Sequence, residues 1–331
     1  MNARLVIVVI GRNEGERLQR ALASAAAERP AALVYVDSGS TDGSVERARG
    51  LGDRVTVCAL DPARPFTAAR GRNEGFALAI AQVPDAAYVQ FLDGDCVLCN
   101  GWIDRAIAHL DVNQDVALVA GRLREEYRER NVYHRLADME WDVPAGDVES
   151  TGGICMIRVD AFREAGGFDP AIAAGEELNL ALRLHAGGDR VVRLAEDMAR
   201  HDIRMERFGQ WWTRAKRYGH ATAESVYLYG LRDAARRREL ASIVAWGAAV
   251  PGAAVGLAAP TLGLSVGLFG GYPALFYRIR RYRIARGDRK DDATLYAAAQ
   301  IVAKFAAVVG VGQFAKRWVR RELAHGRDMV G

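Results

Sequence analysis

Cysteine is scarce in this 331-residue sequence, which holds only Cys58, Cys96, Cys99 and Cys155, and no charged-then-apolar leader stands ahead of them. That combination leads us to expect free thiols in a reducing compartment and excludes a disulfide framework. Cys96 and Cys99 form a C-x-x-C, but there is no second pair to complete a zinc site and the motif overlaps an acidic turn, so they read as small packing residues. A large charge of one sign is also lacking: 45 Lys and Arg oppose 41 Asp and Glu. A nucleic-acid partner is therefore not expected, and the half-apolar composition argues for a folded chain of one large or two medium domains. No G-x-G-x-x-G follows the first apolar run, which weakens a dinucleotide-dehydrogenase reading. IGRNEGERL is no basic glycine-rich phosphate loop either, which argues against a nucleotidyltransferase. The longest absence is of charge itself, missing over 38 positions from Leu240 to Tyr277.

What is present alternates. Arg4–Ile10, RLVIVVI, is a β-branched run of the sort expected for a strand covered on both faces. A helix is expected over Asn13–Ala27, a strand over Leu33–Val36, a helix from Asp42, a strand over Val55–Leu60, a helix over Thr67–Gln82 and a strand over Ala87–Leu92. The alternation predicts an α/β domain with a largely parallel sheet. In such sheets ligands sit beyond the carboxyl ends of the strands. The clusters Arg12–Glu14, Asp37–Thr41 and Asp93–Asp95 each follow a strand end and should share one crevice.

The sharpest of these clusters is FLDGD, in which Asp93 and Asp95 flank Gly94. With glycine letting the backbone bend between them, both carboxylates can turn toward one divalent ion. Hard oxygen ligands of this kind suit Mg2+ or Mn2+, usually held together with the phosphates of a substrate.

In order and spacing, VIVVIGRNE, VYVDSGSTDGS, FTAARGRNEG, FLDGD, TGGICMIRVDAFREAGGFDP and GEELNLALRLHAGG resemble glycosyltransferase family 2 over residues 4 to about 220. The resemblance implies a GT-A fold, a nucleotide-diphosphate-sugar donor, a divalent metal and inversion at the anomeric carbon. It makes Asp37 the carboxylate that binds the base, with UDP the expected nucleotide, and places Arg70, in A-R-x-x-N with Asn73, near the nucleotide. Arg12 and Glu14 would line the same pocket. Asp95 would be the direct metal ligand, Asp93 a second or a ribose contact, and His201 a further metal contact. Gly152 and Gly153 would leave backbone open to an acceptor sugar, ahead of the turn Gly166–Asp169. Where the family usually has Glu-Asp, this chain has Glu176-Glu177, so Glu177 takes the place of the general base. Asn179 stands where a later acid is often found. Trp211 and Trp212 could stack on the acceptor, lie at a membrane surface or pack in the core.

The uncharged run is about twice the length one bilayer span needs. Pro260 near its middle offers a turn, so we expect a hairpin over about 240–277. Arg232, Arg236, Arg237 and Arg238 precede it, and Arg278, Arg280, Arg281, Arg283, Arg286, Arg289 and Lys290 follow it. Basic flanks on both sides keep both ends cytoplasmic. A third apolar stretch, Leu295–Phe314, contains Lys304 and is expected to lie at the interface or pack on the hairpin.

The sequence thus predicts a catalytic domain over residues 1–230 and a helical membrane-associated region over 231–331, with basic amphipathic segments from 278. It would act at the cytoplasmic side of the inner membrane, on a saccharide or lipid-linked saccharide of the cell envelope. A polyprenyl phosphate is the alternative acceptor, and a catalytically silent nucleotide-binding scaffold the rival from another class.

Overall fold

The computed structural model describes residues 2–172, 175–230 and 234–328, with side chains from Arg4 to Arg320. Arg232 of the basic flank lies outside the described residues. The chain divides into two compact units, one running to Arg128 and resuming over Glu140–Ile203, the other made of Glu129–Met139 and everything from Arg204. The division falls before the long helix at 208–229, where the sequence reading drew it after that helix.

In the first unit β1 (Asn2–Gly11), α1 (Glu16–Ala27), β2 (Pro30–Asp37), α2 (Ser44–Arg49), β3 (Thr56–Ala59), α3 (Ala68–Gln82) and β4 (Tyr88–Asp93) alternate as expected. Leu5 to Val9 of β1 are wholly buried, as a strand covered on both faces requires. α1 begins at Glu16 and not at Asn13, because Asn13 (φ 59°) and Gly15 (φ 55°) are left-handed, a conformation that cannot continue a right-handed helix. Then follow β5 (Cys96–Leu98), α4 (Trp102–Val112), β6 (Val116–Glu125), α5 (Val132–Trp141), β7 (Gly146–Asp147), β8 (Cys155–Arg158), α6 (Val159–Glu164), α7 (Glu176–Ala186) and β9 (Arg190–His201).

The strand order is β3-β2-β1-β4-β8-β6-β9-β5, with β7 beside β9. The first four strands are parallel. Beyond β4 the sheet is mixed, with β8 antiparallel to both β4 and β6 and β5 antiparallel to β9. The largely parallel sheet expected from the alternation therefore describes one half of the structure. Antiparallel neighbours need no crossover helix, so the strand-helix rhythm carries no signal for them.

The second unit contains α8 (Phe208–Tyr229), α9 (Ala234–Val244), a π-helical turn (Ala245–Ala249), α10 (Val250–Gly256), a 3-10 helix (Leu264–Gly270), α11 (Gly271–Ala285) and α12 (Lys290–Asp328). The π turn stands just ahead of Pro251, whose missing N–H would otherwise leave an α-helical carbonyl unpaired. The uncharged run folds back on itself: Ser265 Oγ donates to the Ala254 carbonyl at 2.8 Å and Tyr272 OH to that of Trp246 at 2.5 Å. These two pairs fix an antiparallel hairpin turning near Pro260.

Among the described residues two helical stretches are long and apolar enough to cross a membrane, Ala234–Gly256 and Lys290–Arg320. The second of these is the third apolar stretch of the sequence. Its Lys304 is matched by Glu239 at 2.9 Å. The returning arm of the hairpin is not among the candidates, because arginines occupy the second half of α11.

Candidate active site

Register brings the expected loops together. Ile10 pairs with Asp93 and Gly11 with Asp37, so the carboxyl ends of β2, β1 and β4 stand side by side. Gly94 lies in the turn between the two carboxylates and acts there through close approach and not through a positive φ: a Cβ on it would lie 3.2 Å from both Glu14 Cγ and the Ile10 carbonyl. A Cβ there would force the first loop to give by a few tenths of an ångström.

Asp95 meets His201 because Cys96 pairs with His201 across β5 and β9. Nε2 of the histidine lies 3.0 Å from Asp95 Oδ2, and the ring of Trp141 stands edge-on to the imidazole at 4.7 Å. Burial pushes the Asp95 carboxyl up, but the His201 hydrogen bond and charge outweigh it and hold the group below the usual range. Burial pulls His201 down, and Asp95 more than reverses that.

Cys96 Sγ shares the cluster, all its ligand atoms lying within 4.8 Å of one another. Its thiol is buried, pushed far above the usual range and hydrogen-bonded to Asp95 Oδ1 at 3.3 Å. The cluster offers carboxylate oxygen, imidazole nitrogen and sulfur, and the buried His201 Nδ1 has no hydrogen-bond partner.

Charge in the crevice is unbalanced. Glu14, Asp93, Asp95, Glu176 and Glu177 lie there, against the guanidiniums of Arg17 and Arg72 and the imidazole of His201. Glu14 is pushed up to about 7 by burial and by Asp95. Glu177 is likewise pushed up to about 7 by burial and by its neighbour Glu176. A surplus of carboxylate beside a donor set of hard oxygen and imidazole is what a divalent cation fits.

Arg72 ties the loop after β4 to α7, and sequence reasoning passed over it. Its Nη2 lies 3.0 Å from Asp93 Oδ1 and its Nη1 2.9 Å from Glu176 Oε1. Burial works against the guanidinium charge, yet Asp93, Glu177 and Glu176 raise its pKa above the ordinary arginine value. Glu176 is thereby neutralised, whereas Glu177 makes no ion pair among the described residues. The signal was present in the sequence as the residue directly before Asn73.

Arg70, two positions earlier, is engaged differently. It bonds Glu74 at 2.6 Å and the carbonyls of Asp61 and Arg64 at 2.9 and 3.0 Å, pinning the loop ahead of α3. Asn73 clamps the turn Gly166–Asp169, donating to the Phe168 carbonyl at 2.7 Å and accepting from its N–H at 3.0 Å.

Asp37 is buried, accepting from Tyr35 OH at 2.7 Å and from the N–H groups of Gly39 and Ser40 at 2.9 and 2.8 Å. It orders the loop that follows β2. Arg12 is exposed, with its guanidinium 5.7 Å from the centre of the Phe66 ring. Arg17, a second residue the sequence reading missed, pairs with Glu14 and donates to the Asp202 carbonyl at 2.7 Å.

Gly152 and Gly153, which the sequence predicts to face an acceptor, part company. Gly152 faces open space, while a Cβ on Gly153 would fall 1.9 Å from Arg72 Nη2. We expect Gly153→Ala to displace Arg72 and destabilise the fold by about 1–3 kcal/mol, measured by denaturant unfolding, with Gly152→Ala near wild type; equal stability of the two variants would show that Arg72 yields freely. Trp211 is buried and Trp212 half-buried, both 5.6–5.7 Å from the exposed Phe208 ring. They belong to the second unit.

Residues 6–164 match the family model for glycosyl transferase family 2. The chain is 26% identical over 230 residues to the pre-mycofactocin glycosyltransferase of Mycobacterium tuberculosis, covering 66% of this chain and 47% of that one. It is 24% identical over 186 residues to the O-antigen chain rhamnosyltransferase RfbN of Salmonella typhimurium, covering 52% and 57%. The chain thus spans about half the length of the curated relatives it matches. Among solved structures, the mannosyltransferase PcManGT from Pyrobaculum calidifontis, in complex with GDP-Man and Mn2+, superposes with a TM-score of 0.60 at 18% identity, over 93% of this chain and 86% of that one. That likeness shows the fold, the mixed sheet of the GT-A type.

Proposed function

We propose that this chain, whose residues 6–164 are a glycosyl transferase family 2 domain, moves a sugar with inversion from a nucleoside-diphosphate donor to the hydroxyl of a saccharide or lipid-linked saccharide. The observation that carries the reading is the Arg72 bridge from Asp93 to Glu176. It joins the donor-side carboxylates to the helix end that presents Glu177. A carboxyl poised near 7 and free of an ion pair is suited to take a proton at working pH. Glu177 accepts the acceptor hydroxyl's proton as that oxygen attacks the anomeric carbon, and Glu176, neutralised by Arg72, holds the start of α7 in place.

The nucleotide lies along the loops after β1 and β2, lined by Arg12, Glu14 and Asp37, with Arg70 fixing the segment behind them. Asp95, His201 and Asp93 would hold Mg2+ or Mn2+, which neutralises charge on the departing diphosphate. The GDP-Man and Mn2+ bound by the structural neighbour and the rhamnosyl transfer named for the curated relative support a nucleotide-sugar donor and a saccharide acceptor. The open backbone at Gly152 and the turn clamped by Asn73 form the acceptor side. The hairpin of the second unit and its basic flanks support attachment to a membrane, which with the positive-inside rule we take to be at the cytoplasmic face of the inner membrane.

The test is a panel of UDP-, GDP- and dTDP-linked sugars with Mn2+. Release of nucleoside diphosphate from one class of donor is expected. Release from none, while nucleotide still binds, would favour the silent scaffold.

A further inference from the structure

The two candidate spans pack on each other, a Cβ on Gly247 lying 2.4 Å from the Lys304 carbonyl, and both leave most of their apolar windows open, with 17% of the first and 22% of the second buried. α12 is engaged from Thr294 to Gly310 within the second unit. Thr294 accepts from Arg280 at 2.8 Å, Lys304 pairs with Glu239 at 2.9 Å, and the Phe305 ring stacks on Tyr272 at 6.0 Å. Farther along, a Cβ on Gly310 would lie 1.9 Å from the Lys216 carbonyl and one on Gly219 2.0 Å from that of Ala307. α12 and α8 thus cross backbone to backbone, and α8 carries Arg214, Lys216, Arg217 and Glu224. A bilayer-spanning α12 would draw those charges into hydrocarbon with it.

The hairpin tip is the opposite case. Leu262 is 94%, Leu264 84% and Val255 68% exposed, with Leu257, Val266, Leu268 and Phe269 also open. From Leu240 the outgoing helical arm extends about 25 Å. The return, a 3-10 helix and then α11 up to Tyr277, covers about the same. Both fall short of the roughly 30 Å hydrocarbon core. Where the return arm ends, Arg278 and Arg281 line a shallow depression with Tyr277, Tyr282 and Ala285, all exposed. Neither arginine has a partner among the described residues. By contrast Arg283 on the other face is buried on Asp288 and the Met139 carbonyl.

We propose that the chain attaches to an anionic membrane as a re-entrant hairpin, with residues 255–269 immersed, Arg278 and Arg281 seated on phosphate headgroups, and α12 serving as a bracket outside the hydrocarbon. This rests on the membrane attachment proposed above and specifies its form. Arginine and tyrosine side by side match the headgroup level, where cations meet lipid phosphate and aromatic rings sit half-wet.

The test is flotation of the full chain with vesicles of phosphatidylcholine alone or mixed with phosphatidylglycerol, with thermal melts confirming that each variant is folded. Leu262→Glu with Leu264→Glu should lower partitioning at least about a hundredfold on both vesicle types. Arg278→Gln with Arg281→Gln should lower it about thirtyfold on the anionic vesicles only. Val302→Glu with Val309→Glu, on the exposed face of α12, should change neither. Detachment by the α12 pair with the tip pair still bound would overturn the proposal in favour of a spanning α12. Equal binding of the Arg278/Arg281 pair to both vesicle types would overturn the headgroup site. Nucleoside-diphosphate release, measured in parallel on the same samples, reports separately on the sugar-transfer reading.

Discussion

Glu177→Gln should lower sugar transfer about a hundred- to ten-thousand-fold, the usual cost of removing a general base, while donor binding is kept. The amide retains the shape of the side chain and the start of α7, so only proton acceptance is lost. The wild-type pH profile should carry the same signature. Glu177 is pushed up to about 7 by burial and Glu176, and the reactive form is the carboxylate. Rate should therefore fall about tenfold per pH unit below 7 and level off above it, and the variant should lack that limb. Stability runs the other way: a carboxyl whose folded pKa is raised binds its proton more tightly in the folded state, so its contribution is present at low pH and lost as pH rises through 7. At pH 8 the metal-free variant should melt no lower than wild type. Near-normal transfer by Glu177→Gln, with loss in Glu176→Gln, would move the base to the neighbour. Full activity in both would favour a phosphate acceptor, which needs little base catalysis.

Asp95→Asn should abolish metal-dependent turnover, with a loss of at least about a hundredfold. The carboxylate faces His201 at a strand end and does not lie in the core, so the fold should survive, as checked by circular dichroism. Chelator should do the same to wild type, with recovery on adding Mn2+. Unchanged turnover in chelator would show that Arg17, Arg72 and His201 alone carry the diphosphate charge.

Much of this site was legible from local rules. Buried parallel strands announce themselves as continuous β-branched runs, and their ends locate a crevice, so β1, β2 and β4 fell into place together with Asp37, Asp93 and Asp95. His201 was harder, because its nearness to Asp95 depends on the β5–β9 pairing, which no periodicity records. Arg72 was missed for a related reason. On α3 it stands two residues from Arg70, and spacing alone cannot tell which guanidinium faces the crevice and which pins a loop. That choice is made by Gly153, whose lack of a Cβ leaves room for one of them. The hairpin was legible from absent charge and a central proline, but the role of α12 was not, since Lys304 reads as an obstacle until Glu239 is seen beside it.

The anomeric configuration of the product decides whether Glu177 activates the acceptor for direct displacement of the diphosphate. With the donor found in the panel and a saccharide acceptor, NMR of the first-formed linkage should show the configuration opposite to that of the donor. Retention of the donor configuration would contradict a single displacement and with it the assignment of Glu177 as base.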